Sequence, residues 1–256
     1  MTVNTKETPR EDVNSSAKTL MVLQVALEVS RFTDIVKASG LARSTVHRIL
    51  RGLTDSGFLV TDDKGHYHPG PSSLRLAATS MANTDVVAIA RPIIANLVSR
   101  VGATAHLAIR VGDEAVYLSR ADSPSKPYQL SSRVGLGRQL YCTALGKSLL
   151  ATETDAAVAA YAARVPMLPR TRRTITDVDA LIAEVHRIRV TGWSIDNEES
   201  EPGIICLATP IVTLDGVRHA ISVSVLAMDV PLQELVSHAR DVQAAAAEIS
   251  AQLGVR

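Results

Sequence analysis

Within nine residues Arg43, His47, Arg48 and Arg51 stand together with no acid between them, although the whole chain carries a formal charge of only +1. On a helical wheel at about 100° per residue, Val46, Ile49, Leu50 and Leu53 form one narrow apolar stripe. Ser44 and Arg48 fall opposite it, flanked by Arg51 and His47, with Arg43 and Thr45 at the margins. Guanidinium groups bridge two acceptors on a guanine edge or clamp a phosphate, and small hydroxyls let a helix backbone approach a duplex closely. Exposed helix faces commonly mix charge signs to gain intrahelical pairs. This face therefore reads as the DNA-contacting side of a reading helix, with plain solvation as the alternative. Lys64 and His66 fall in a turn further on, either as phosphate contacts or as ordinary turn polarity.

A second set of polar residues lies far along the chain. Ser222 and Ser224 are two apart in "HAISVSV" and so share one side of a strand, where both hydroxyls suit a carboxylate. The alternative is a solvent-facing pair, with Ile221, Val223 and Val225 alone turned to the core. Gly135, Gly137 and Gly146 in "RVGLGRQLYCTALGK" permit a loop whose amides point inward, a geometry that favours anions. Arg133 and Arg138 add cations to that segment or lie at the surface.

The elements needed to hold these residues are legible as periodicity. Leu20, Leu23 and Leu27 give an apolar stripe at helical spacing over "KTLMVLQVALEV". Thr33 is placed to cap a short helix, "DIVKAS", which Gly40 ends. The reading helix follows at once. "FLVT", "DDKG" and "HYH" form a hairpin with a turn suited to Asp and Gly. A helix, a tight turn, a second helix and a hairpin make the arrangement that lays the second helix in a major groove.

Two helical patterns, "SSLRLAATSMA" and "DVVAIARPIIANLVSRVG", come next as a connector that supplies either a dimer contact or core, with Pro92 kinking the second or starting a new segment. Beyond residue 102, "TAHLAIR" with "AVYLSRA" and "IICLATPIV" with "HAISVSVLA" read as hairpins, Pro210 marking an edge or a strand end. "DVDALIAEVHRIRVTG" is a helix closed by Gly192, and "PLQELVSHARDVQAAAAEISAQLG" one final helix. Together these predict an α+β domain on an antiparallel sheet.

Composition narrows the function. With 27 Lys and Arg against 26 Asp and Glu, any nucleic-acid contact is local. Cys142 and Cys206, without CxxC spacing, argue against a disulfide scaffold or zinc ribbon and fit a reducing cytoplasm. His66 and His68 are an isolated pair with no Cys nearby, so neither a metal nor a cofactor is expected. No stretch is apolar enough to span a bilayer. There is no GxSxG elbow and no Cys–His signature, which disfavours a nucleophilic enzyme.

The string "GLARSTVHRILRGLTDSGFL", followed by "GHYHPGPSSLRLA", "AHLAIRVGDEAVYLSR", "RVGLGRQLYCTALGKSLLA", "GWSIDNEESEPGIICLATPI" and "HAISVSV", resembles the IclR family of bacterial transcription regulators from about residue 18 to the end. The polar N-terminus reads as a disordered leader over 1–17, and the resemblance implies a winged helix-turn-helix over 18–70, a linker helix over 71–84 and an effector-binding domain with a GAF- or profilin-like antiparallel sheet and flanking helices over 85–256. It implies a homodimer that pairs into a homotetramer on a near-palindromic double-stranded operator, with no membrane partner. The implied activity is repression of a catabolic operon, released by a small organic acid or aromatic metabolite. An activator, or a metabolite sensor without sequence-specific DNA binding, is the alternative. By the same resemblance the effector pocket takes in Gly135, Leu140, Ala144, Leu145, Asp196, Ile204, Cys206, Ser222 and Ser224. Lys147 falls there as a ligand contact or a structural ion pair. The Pro/Ser-rich "SPSKPYQLSS" is a loop that folds over the pocket in this reading.

Overall fold

The computed structural model describes residues 14–82, 85–124, 131–213 and 218–254. The chain divides into two compact units between residues 83 and 84. In the first, α1 (Ser15–Glu28), α2 (Phe32–Ser39) and α3 (Arg43–Asp55) precede a hairpin of β1 (Leu59–Thr61) and β2 (Tyr67–Pro69), and α4 (Pro71–Ala82) follows. Its core joins Val22 and Ala26 of α1, Ile35 of α2, the α3 stripe Val46, Ile49, Leu50 and Leu53, and Leu59. The stripe expected on α1 is corrected: Leu20 and Leu27 are exposed, and Val22 and Ala26 are buried instead. "LMVLQVAL" is apolar on most sides, so its periodicity did not single out one face.

Helix boundaries in this unit also differ from expectation. Asn14 caps α1 through its side chain, so Ser15–Ala17 are helical, while the rest of the expected leader, 1–13, lies outside the described residues. Thr33 is not the cap of α2; Arg31 occupies that position, and only its carbonyl receives the first-turn amides of Asp34 and Ile35. Gly40 does end α2 at φ 63°, the left-handed geometry that lets α3 start after Leu41 and Ala42. Ser72 and Ser73 donate their hydroxyls to the carbonyls of Ser56 and Phe58, fastening α4 to the start of the hairpin.

The second unit is a six-stranded antiparallel sheet in the order β5-β4-β3-β8-β7-β6: β3 (Thr104–Val111), β4 (Glu114–Ala121), β5 (Gly137–Gln139), β6 (Ser194–Asn197), β7 (Ile204–Ile211) and β8 (His219–Leu226). One face packs on α5 (Asp85–Val101), α9 (Leu232–Ser237) and α10 (Ala239–Gln252) through Leu107, Leu207, Ile221 and Val223. The other packs on α6 (Ala144–Ala151), α7 (Asp155–Arg164) and α8 (Val178–Thr191) through Ala108, Ala115, Ala208 and Ala220.

With helices on both faces, the solvent-facing alternative for Ser222 and Ser224 is excluded, and both are buried. The helix α5 runs unbroken through Pro92 and belongs to this core, not to a connector. The expected single C-terminal helix breaks at His238 into α9 and α10. Pro210 sits on the end of β7, beyond the stretch that β6 pairs, where a missing amide is tolerated. Helices α6 and α7 and strands β5 and β6 were not expected. No described helix is long and apolar enough to cross a membrane.

Gly70 marks a tight backbone crossing at the end of the hairpin: a Cβ there would lie 2.3 Å from the Gly57 carbonyl oxygen. Gly70→Ala is expected to cost the first unit about 1–3 kcal/mol in chemical denaturation, whereas Gly52→Ala, with nothing within 4 Å of the new methyl, is expected to gain up to about 1 kcal/mol.

Candidate functional site

On α3 the stripe expected to face inward is buried, which leaves Arg43, Ser44, His47, Arg48 and Arg51 exposed and Thr45 half-buried. Phe32 at the start of α2 braces this face. The Arg43 guanidinium lies 4.7 Å from its ring centroid, and His47 meets the ring edge-on at 6.2 Å. Arg43 and His47 are one helical turn apart, so a single ring orders both. The contact is tertiary, and no local pattern announces it. The face is not wholly without acid: Asp55, just beyond the basic run, approaches Arg51 at 3.9 Å, both side chains being exposed. Such a pair contributes at most about 0.5 kcal/mol and is easily exchanged for a phosphate.

The hairpin turn is organised by Asp62, which accepts from the amides of Lys64 and His66 and lies 3.0 Å from His68 Nε2. The His68 bond, with the backbone amides, holds the Asp62 carboxyl down at about 2. Lys64 is exposed. His66, read as a phosphate contact or as turn polarity, turns Nδ1 toward Asp62 at 3.6 Å and is half-buried.

The second unit encloses a cavity of about 500 Å³, counted out to its mouth, between the α6 side of the sheet and the N-terminus of α6. Strand alternation and register put one polar residue after another along its floor. Asp196 on β6 pairs with Cys206 on β7, Cys206 with Ser224 on β8, and Ser222 with His106 on β3. Tyr117 on β4 and Arg138 on β5 continue the row to the opposite edge. Of the residues expected here, Ala144, Leu145, Asp196, Ile204, Cys206, Ser222 and Ser224 line the cavity.

Gly135 and Leu140 do not. Gly135 is exposed in a turn at φ 84°, and Leu140 is wholly buried beneath α6. The expected inward-facing loop is instead a helix start: Thr143 caps α6 by accepting from the Gly146 amide. Ala144 and Leu145, in the first turn beside the cavity, present amides that have no intrahelical acceptor. Gly146 serves close packing, because a Cβ there would lie 2.3 Å from the Leu140 Cα.

The chemistry of each group follows from its neighbours. Asp196 accepts from the amides of Glu199 and Ser200 and from the Ser200 hydroxyl. It thereby holds the turn after β6, and burial raises its carboxyl above the usual range. Lys147 is buried with its Nζ 2.5 Å from Glu199 and 3.6 Å from Glu184, a structural ion pair; it is not among the lining residues. Burial pushes the Cys206 thiol well up, and Ser224 donates to its sulfur at 3.1 Å. A thiol kept protonated is no nucleophile at neutral pH.

Sequence reasoning missed His106, Tyr117, Ser131, Ser132, Thr143, Ser200 and Glu201 on the cavity wall and left Arg138 undecided. The discoverable signal was His106, set between Ala105 and Leu107 in the apolar middle of β3. Its Nε2 lies 2.7 Å from the Ser132 hydroxyl, and burial, reinforced by the Arg120 charge, holds it down at about 3. Burial pushes the Tyr117 phenol up to about 12. Of the loop expected to cover the pocket, residues 125–130 lie outside the described residues, and Ser131 and Ser132 reach the wall.

An exposed basic helix with a following hairpin defines a regulator of the winged helix-turn-helix class, to which the second unit adds a sheet whose inner face is polar beneath a helix N-terminus. Residues 78–251 match the family described as bacterial transcriptional regulator IclR C-terminal, and residues 17–63 match the IclR helix-turn-helix domain. The chain belongs to the IclR family of transcription regulators, and its N-terminal unit is a DNA-binding domain. It is similar to the DNA-binding transcriptional repressor YiaJ of Escherichia coli strain K12, at 30% identity over 73% of this chain and 67% of that one. It resembles the crystal structure of the Thermotoga maritima IclR with a TM-score of 0.72 and 27% identity, over 94% and 99% of the two chains. An IclR homolog from Microbacterium hydrocarbonoxydans, solved in complex with 4-hydroxybenzoate, shares the fold with a TM-score of 0.79 and 20% identity over 95% and 100%. These relatives are regulators, and the protonated thiol agrees with a site that binds and does not catalyse.

The folded chain keeps His106 neutral down to about pH 3, whereas the unfolded chain takes up a proton near 6.5. The unfolded state thus binds the additional proton, and the second unit is expected to lose stability as pH falls from about 6.5 toward 3, by up to about 1.4 kcal/mol per pH unit. Denaturant titrations at pH 6.5 and pH 5 should show this slope in the wild type and a flatter one in His106→Phe.

Proposed function

We propose that this chain is a cytoplasmic repressor that holds a near-palindromic operator as a homodimer, paired into a homotetramer, and releases it when a small organic acid enters the cavity of the second unit. The observation that carries the reading is the buried row of hydroxyls beneath the first turn of α6. Ser222 and Ser224 face the same side as the first-turn amides of Ala144 and Leu145, which lack intrahelical acceptors, and donors converging at a helix N-terminus favour an anion. The repressor name of the Escherichia coli relative and the 4-hydroxybenzoate in the Microbacterium homolog support a released repressor and a small-acid ligand.

On the DNA side, Arg48 and Ser44, central on the exposed face of α3, read base edges, with Arg43, Thr45, His47 and Arg51 around them and Lys64 on the hairpin at a phosphate. His66 contributes by steadying the turn through Asp62. One such module reads few base pairs, and a two-fold symmetric site doubles the contact. For the ligand to act, it must bind the DNA-free state more tightly than the operator-bound one, by a coupling of about 1–3 kcal/mol in typical regulators.

Duplexes enriched from a random pool, or the region upstream of the chain's own gene, provide the DNA for a gel shift. Arg48→Ala is expected to lower affinity about tenfold or more and relax the base preference at its position, with ligand response retained. An unchanged footprint rejects the reading helix. The double substitution Ser222→Ala, Ser224→Ala is expected to leave DNA binding intact and abolish release by an acid that acts on the wild type. A normal release rejects the cavity as the effector site.

A further inference from the structure

One group on the cavity wall is not explained by packing. His106 is almost wholly buried, and while its Nε2 is engaged with Ser132, its Nδ1 has no hydrogen-bond partner. A buried polar atom left unpaired is costly, so its retention among apolar strand residues calls for a partner that the chain itself does not provide. The imidazole is neutral, offers no charge to an acid, and stacks obliquely on Tyr117 at 4.9 Å between ring centroids. It sits directly across from Ser222, one strand over, which is a separation of about 4.8 Å. A ligand whose carboxylate lies on the hydroxyl pair would therefore bring its next few atoms to His106.

We propose that His106 determines ligand specificity by pairing its orphaned nitrogen with a hydroxyl, so that the cavity selects hydroxy-substituted carboxylic acids over the same acids without the hydroxyl. This rests on the reading of the cavity as an acid site and adds the class of acid. A site built to hydrogen-bond a hydroxyl discriminates strongly against the analogue lacking it, because the protein group is then left unpaired. Ser132 holds the ring through Nε2, and Tyr117 limits its rotation.

The test uses the full chain and three matched pairs: lactate with propionate, 3-hydroxybutyrate with butyrate, and 4-hydroxybenzoate with benzoate. Calorimetric titration of the wild type is expected to show at least one hydroxy acid binding tenfold or more tightly than its partner. His106→Phe, which keeps a planar ring, should bind both members of that pair alike, and His106→Gln, which can still hydrogen-bond, should recover part of the preference. In the wild type the imidazole nitrogen resonances of His106 should move with the hydroxy acid and not with its partner, a response that a packing role would not produce. Equal binding within every pair, or a preference that survives in His106→Phe, overturns the role of His106 while leaving the acid site standing. Binding of no acid in either form overturns both.

Discussion

The seating of α6 on the sheet is the contact on which the second unit's chemistry depends. A helix can lie this low only because the strand residues beneath it are Ala108, Ala115, Ala208 and Ala220, and because Gly146 meets the Leu140 backbone where any side chain would collide. Polar bonds hold it there. Ser194 donates to the Ala144 carbonyl and lies 2.7 Å from the Ser148 hydroxyl, while Lys147 reaches Glu199 in the turn after β6. Raise the helix by one methylene and its first-turn amides no longer stand over the hydroxyls of β8.

The same seating converts a polar row into a site. In most sheets covered on both faces the strands are apolar throughout. Here β8 alternates Ile221, Val223 and Val225 toward α5 and α10 with Ser222 and Ser224 toward α6, so one face provides cohesion and the other lines the cavity. Asp196 is satisfied by the Ser200 hydroxyl and by two backbone amides. Its carboxyl holds the turn after β6 from the cavity wall. Among the described residues that line the floor, His106 is the one with a fully buried side-chain nitrogen left unpaired.

The DNA-binding unit follows a different logic, since its functional groups must stay in water. There the core only orients: four apolar residues of α3 point inward, and the guanidiniums take the opposite side by helical geometry alone. Precision is added at two points, by Phe32 against Arg43 and His47, and by Asp62 within the hairpin turn. Both limit the freedom of exposed polar side chains.

The amino-acid order alone determined what repeats with a short period. The inward stripe of α3, the left-handed stop at Gly40, both long hairpins and the shared side of Ser222 and Ser224 were readable because each depends on neighbours within a few residues. Tertiary structure decided what depends on contacts across the chain: which side of the nearly all-apolar α1 is buried, that "YCTALGK" starts a helix and not a loop, and that Leu140 packs beneath that helix. It also brought His106, Tyr117 and Arg138 beside the serines, because strand order β5-β4-β3-β8 joins segments more than eighty residues apart. Local periodicity carries the direction a side chain takes from its own backbone, and only the closing of the sheet fixes what it meets there.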